Sequence, residues 1–138
     1  MAPMLFVNLP VADVRRSRRF FGRLGFDFDD MFCDDATVCM VINDGAMVIL
    51  MERHRFAGFA ASEVPASTVS REAVVSVAAD SRSHVDRLVD AALDSGGAPL
   101  RRAEDLGFMY CRSFCDPDGH AWEAVWMDPT QIPRTPDG

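Results

Sequence analysis

The chain has no lysine: all 14 of its basic residues are arginine. We read that absence as a compositional habit with no mechanism attached. Positive charge is scarce as well. Twenty-one acidic residues give a net charge of -7 and a pI near 4.8, which argues against general nucleic-acid binding, a class that needs a basic footprint. No apolar run approaches the roughly 20 residues that cross a bilayer as a helix, so no membrane protein is expected. The opening MAPMLFVNLPV has no basic head and no cleavage site, and Arg15 and Arg16 follow the apolar run instead of preceding it. A secretory signal is therefore not expected, and a cytoplasmic location is. In that reducing compartment Cys33, Cys39, Cys111 and Cys115 should be free thiols, and their spacings do not match a zinc knuckle.

What is present is an ordinary globular composition, 49% hydrophobic and 25% charged over 138 residues, enough for a single domain with a real core. The most structured stretch is DLGFMYCRSFCDPDGHAWEAVWMDP, from Asp105 to Pro129. Phe108 to Phe114 alternates around Tyr110 and Arg112, Asp116 to Gly119 is a turn, and His120 to Met127 alternates again, which predicts a β-hairpin. Ala121, Glu123, Val125 and Met127 fall on one face of the second strand; His120, Trp122, Ala124 and Trp126 fall on the other. Along its strand Glu123 is alone among apolar neighbours. A carboxylate so placed needs a proton, a hydrogen bond or a cation, which makes it a functional candidate; the plain alternative is an edge position open to water.

Read in order, Met4–Pro10 is a strand, and Asp13 caps a helix through Leu24 that Gly25 ends, with Val14, Ser17, Phe21 and Leu24 turned inward. Arg15, Arg16, Arg18 and Arg19 fill its solvated side. Phe26–Cys33, Thr37–Asn43 and Ala46–Glu52 read as three strands, and 53–72 as a connector, partly helical at most, with Phe56 and Phe59 as anchors. The pattern then repeats. Ala73–Ala79 is a strand, Asp80 or Ser81 caps a helix with Val85, Leu88, Val89 and Ala92 inward, Gly96 and Gly97 stop it, and Ala98–Arg102 precedes the hairpin. Asp13 corresponds to Asp80, Gly25 to Gly96 and DGAMVILM to DGHAWEAV, a period of about half the chain. The fold class is α+β, with two βαβββ modules at 4–52 and 73–127 in one domain of 1–128 and a tail over 129–138.

Two such modules, the opening LPVADVRRSRRFFGRLGF and the closing DPDGHAWE resemble the vicinal oxygen chelate superfamily, which includes glyoxalase I, bleomycin-resistance proteins and extradiol dioxygenases. The resemblance implies sheets curved into a cup and, in the enzymes, a divalent metal held by four strand side chains. Glu123 matches the last of those positions. The others fall on Phe6, on Ile49 or Leu50, and on Val74, none of which ligates a metal; a shifted register would bring in Asn8, Glu52 or Glu72. No cofactor is therefore expected, and His54, His84 and His120 are not expected as ligands. By resemblance Phe6, Asn8, Val74, Ser76, Glu123, Val125 and Met127 line the cup, with Tyr110 and Arg112 as further ligand-binding candidates and Trp122 and Trp126 in the core. The expected protein is a homodimer binding a small organic molecule without the full metal site. The alternative is a glyoxalase-type lyase or isomerase using Glu123 as general base or as ligand of an atypical metal site.

Overall fold

The structure, a computed structural model, describes residues 3–64 and 71–131. Pro65 with the rest of the connector segment 65–70, and the tail from 132 onward with Pro133 and Pro136, lie outside the described residues. The chain forms two compact units, Met1–Ser70 and Arg71–Gly138, with the boundary inside the expected connector. The first contains β1 (Leu5–Val11), α1 (Val14–Arg23), β2 (Asp27–Phe28), β3 (Thr37–Asn43), β4 (Ala46–Glu52) and α2 (Arg53–Ala60). The second contains β5 (Val74–Ala78), α3 (Arg82–Asp94), β6 (Ala98–Pro99), β7 (Glu104–Asp105), β8 (Met109–Cys115) and β9 (Ala121–Met127). Each is a βαβββ module with a mixed sheet. The strand orders are β1-β4-β3-β2 and β5-β9-β8-β6, β7 also pairing with β8, and in each unit the first strand runs parallel to the last.

Helix α1 begins where Asp13 accepts hydrogen bonds from the Arg15 and Arg16 amides at 2.9 and 3.2 Å, two of the four donors a helix start leaves unpaired. It buries Val14, Ser17, Phe20 and Phe21; Phe20 takes the place expected of Leu24, which is half-buried. Phe20 and Phe21 meet edge to face, their centroids 4.9 Å apart, and each fully buried ring stabilises the unit by about 1.5–3 kcal/mol. In the second unit Ser81 caps α3, whose buried side chains are the expected Val85, Leu88, Val89 and Ala92. Beneath them Trp122 stacks on Phe114 at 6.4 Å. Gly25 and Gly96 end the two helices with φ of 101° and 108°, a backbone region that favours glycine.

Two strands are shorter than alternation predicts. Instead of reaching Cys33, β2 stops at Phe28, because the Asp29 carboxylate accepts the Met31 amide at 3.1 Å and starts a 3-10 turn over Asp30–Phe32. The strand expected over Ala98–Arg102 ends at Pro99, after which the Arg101 amide donates to the Ser113 hydroxyl at 2.9 Å instead of to a backbone carbonyl. The segment leaves the ladder there and returns at Glu104.

Arg82, at the start of α3, binds Asp105 through both terminal nitrogens at 2.7 and 2.9 Å and lies over the rings of Tyr110 and Trp126. This pairing, with the Gly107 amide, holds the Asp105 carboxyl down at about 2 from the usual 3.8. A depressed acid contributes stability above its ordinary pKa and loses it as pH falls through the folded value, so this contribution is complete above about pH 4 and gone near pH 2. In an Arg82→Gln variant the Asp105 carboxyl should titrate near its usual value by NMR; an unchanged midpoint would show that Arg82 is not the cause.

Candidate functional site

Strand register decides which expected site residues share a face. In the second unit Ser76 lies opposite Glu123, Ala78 opposite Val125 and Val74 opposite Ala121 on one side of β9, while Ser113, Cys111 and Met109 lie opposite Glu123, Val125 and Met127 on the other. Val74, Ser76, Glu123, Val125 and Met127 therefore share the face directed away from α3, as expected. Tyr110 and Arg112 do not. They project from the opposite face of β8, where the Tyr110 hydroxyl donates to Asp86 at 2.7 Å and Arg112 reaches Asp86 and Asp90 at 2.9 and 3.0 Å. Their polar groups are engaged with α3. The Tyr110 bond keeps the Asp86 carboxyl low and raises the phenol.

Nor is Glu123 isolated. Its Oε1 accepts from the Ser76 hydroxyl at 3.3 Å, and its Oε2 is paired with Arg101 Nη2. The interruption between β6 and β7 carries Arg101 over this face, where its Nη1 also lies 3.9 Å from Glu104. The side chain of Glu123 is only 19% exposed. Cys111, in the same neighbourhood, has its thiol pushed up by burial, with the nearby Glu123 and Glu104 carboxylates adding to the effect. Arg101 is the partner of Glu123 that sequence reading missed. A signal for it was present: Pro99 cannot donate to a ladder, so the strand had to break next to a pair of arginines.

In the first unit Phe6 and Asn8 pair with Met47 and Ile49 of β4, which puts Ile49 on the face away from α1 and fully buries Leu50 on the other. On the first face lies a concave pocket of about 250 Å³ lined by Asn8, Phe32, Asp34, Thr37, Ile49, Met51, Arg55 and Phe59. Asn8 comes from β1, Thr37 from β3, Ile49 and Met51 from β4, and Phe32 from the 3-10 turn that truncates β2. Arg55 and Phe59 are four residues apart on α2 and so share one side of that helix. Phe59 is 75% and Phe32 61% exposed, so both rings present apolar surface at the pocket.

The pocket's one ion pair is Arg55 with Asp34, Nη1 lying 3.0 and 2.9 Å from the two carboxylate oxygens. The same nitrogen donates to the Thr37 hydroxyl at 2.6 Å, and Asp34 Oδ1 accepts the Ala36 amide at 2.8 Å. These bonds, Arg55 first, hold the Asp34 carboxyl below the usual range.

The metal implied by the fold family was tested against these side chains. Of the four positions carried over, Phe6, Ile49 and Val74 have no donor atom, and Glu123 is already paired with Arg101. Hard divalent cations need several oxygen or nitrogen donors together. Among the described residues no group of three or more His, Cys, Asp or Glu is placed to hold a metal ion. The residues do not fit the group.

Residues 4–43 match the family described as bleomycin resistance protein-like N-terminal. The chain is similar in structure to a hypothetical protein from S. aureus, with 25% identity, a TM-score of 0.78, and coverage of 91% of this chain and 95% of that one. A glyoxalase-related enzyme from Fulvimarina pelagi matches at 20% identity and a TM-score of 0.77, covering 91% and 88%. A glyoxalase/bleomycin resistance protein/dioxygenase family enzyme from Burkholderia phytofirmans PsJN matches at 15% and 0.76, covering 91% and 99%. No curated protein matches the chain. Its βαβββ modules give the chain the fold of the glyoxalase/bleomycin resistance/dioxygenase structures, and the match to the bleomycin resistance protein-like family is confined to residues 4–43.

Proposed function

We propose that this protein binds a small organic molecule in the pocket of its first unit and that binding requires no metal. The observation that carries the reading is the pocket itself, apolar on its floor at Ile49 and Met51, flanked by the exposed rings of Phe32 and Phe59, and furnished with a few fixed polar groups. That is the general make-up of a small-molecule site, and its volume lies just under the range of drug-sized pockets, so the ligand is of about one ring. The donor set of the four carried-over positions supports the second half of the proposal.

An enzymatic role for Glu123 has less support. Both of its carboxylate oxygens are already held within the protein, by Ser76 and by Arg101.

The reading is tested on protein purified without chelator and then stripped with EDTA. Elemental analysis should find no stoichiometric divalent metal, the melting temperature should not move on stripping, and a small-molecule library should contain compounds that raise it. Phe59→Ala should remove that rise. One zinc, nickel, manganese or iron per chain, lost together with stability in EDTA, would overturn the metal-free account; hits that ignore Phe59→Ala would place binding elsewhere.

A further inference from the structure

We infer that the ligand taken by this pocket is a ring compound bearing a carboxylate, held edge-on by Arg55. The inference rests on the pocket reading above and adds the chemical class. It follows from which hydrogen-bonding groups of the pocket are spent and which are free.

All of the hydrogen bonds Arg55 makes among the described residues leave through Nη1, two to Asp34 and one to Thr37. Nε and Nη2, the edge of a guanidinium that matches a carboxylate with two parallel bonds, have no partner among the described residues. The Nη1 bonds fix the plane of the group, so that edge is already positioned on a side chain that is 40% exposed. Thr37 Oγ1 accepts from Arg55 and so retains its own proton for donation. The Asn8 amide adds two more donor hydrogens. On the acceptor side, both Asp34 oxygens receive Arg55 and Oδ1 also receives the Ala36 amide. The pocket thus offers donors in excess and has engaged its one carboxylate, a balance suited to an acceptor-only anion. Phe32, Phe59, Ile49 and Met51 supply the surfaces for an apolar body, and the volume limits that body to about one ring. Asp34 sets the strength: its charge opposes a second carboxylate on the same arginine, so affinity is held down by a residue that makes no contact with the ligand's ring.

The probes are benzoate, phenylacetate and cyclohexanecarboxylate, each beside its neutral primary amide, titrated into the full chain by calorimetry and by amide chemical shifts. The carboxylates should bind roughly ten to a hundred times more tightly than the amides, the range of a charge-assisted paired hydrogen bond. Arg55→Gln should erase that preference, so that acid and amide bind alike. Arg55→Lys, which keeps the charge and loses the edge, should restore only part of it. Asp34→Asn should tighten carboxylate binding several-fold, whereas a purely structural ion pair would weaken it. Equal binding of acid and amide, or a preference that survives Arg55→Gln in folded protein, would overturn the carboxylate assignment while leaving the pocket reading intact. If no probe of either kind shifts the amides of Asn8, Thr37 and Ile49 at millimolar concentration, the class is wrong, and the library screen of the preceding section then decides whether the pocket reading falls with it.

Discussion

Replacing Asp116 with alanine should cost the protein about 3–5 kcal/mol, a large share of the 5–15 kcal/mol that holds a typical domain together. Asp116 follows β8 directly and organises the turn into β9. Its Oδ1 accepts the Asp118 and His120 amides at 2.9 and 3.0 Å, and its Oδ2 accepts Trp122 Nε1 at 3.0 Å. Burial pushes this carboxyl up, with nearby His120 and the hydrogen bond from Trp122 pulling the other way. Alanine removes the acceptor that all three donors use, and the indole of Trp122 lies in a fully buried ring. The melting temperature should fall by on the order of 10 °C. Asparagine keeps one oxygen but turns an NH2 toward one of the donors, and should lie between the two. The cause is checked by Trp122→Phe, which removes the stranded donor: it should cost markedly less when combined with Asp116→Ala than in the wild type. Costs that simply add would show that the hydrogen bond to the indole is not what Asp116 provides.

The second large effect concerns Arg101 and Glu123. Read along its own strand, Glu123 is a carboxylate among apolar neighbours, and neutralising it should leave folding intact or even stabilise the empty protein. With Arg101 in place the expectation reverses. Arg101→Gln should destabilise by about 1–3 kcal/mol, because it leaves a mostly buried carboxylate with only the Ser76 hydroxyl. Glu123→Gln should destabilise by about 1 kcal/mol, since Arg101 is half exposed and finds water. The double variant should be less destabilised than the sum of the two, with a coupling near ~1 kcal/mol by urea unfolding. A stabilised Glu123→Gln protein would mean that the ion pair does not form in solution.

The contrast between these residues shows what can be read from a chain and what cannot. Local rules carried far: Asp13 and Ser81 cap their helices, the α3 stripe is the expected one, and β3 and β4 have the expected ends. Period-two alternation correctly grouped Glu123 with Val125 and Met127. It could not show that the neighbouring strands bring Ser76 and Ser113 alongside, because cross-strand register is set by long-range pairing. The same limit leaves open, from the sequence alone, which face of β8 Tyr110 and Arg112 occupy. Which face of β8 meets α3 is decided by packing, and the carboxylates that claim them, Asp86 and Asp90, lie more than 20 residues away. The family resemblance directed attention to the metal positions and to Glu123, while the pocket in the first unit is completed by α2, in a segment that reads as a connector. Arg55 and Phe59 carry no motif. Their spacing of four becomes informative only once that segment is helical and lies against β1 and β4.

The central claim, a metal-independent small-molecule site in the first unit, is tested most directly by following backbone amide shifts of EDTA-stripped protein while a hit from the library is titrated in. The account predicts saturable shifts concentrated on Asn8, Thr37, Ile49, Met51 and the α2 residues Arg55 to Phe59, unchanged when a divalent metal is added. Shifts centred instead on Ser76, Arg101 and Glu123, or binding that begins only after metal is restored, would contradict it.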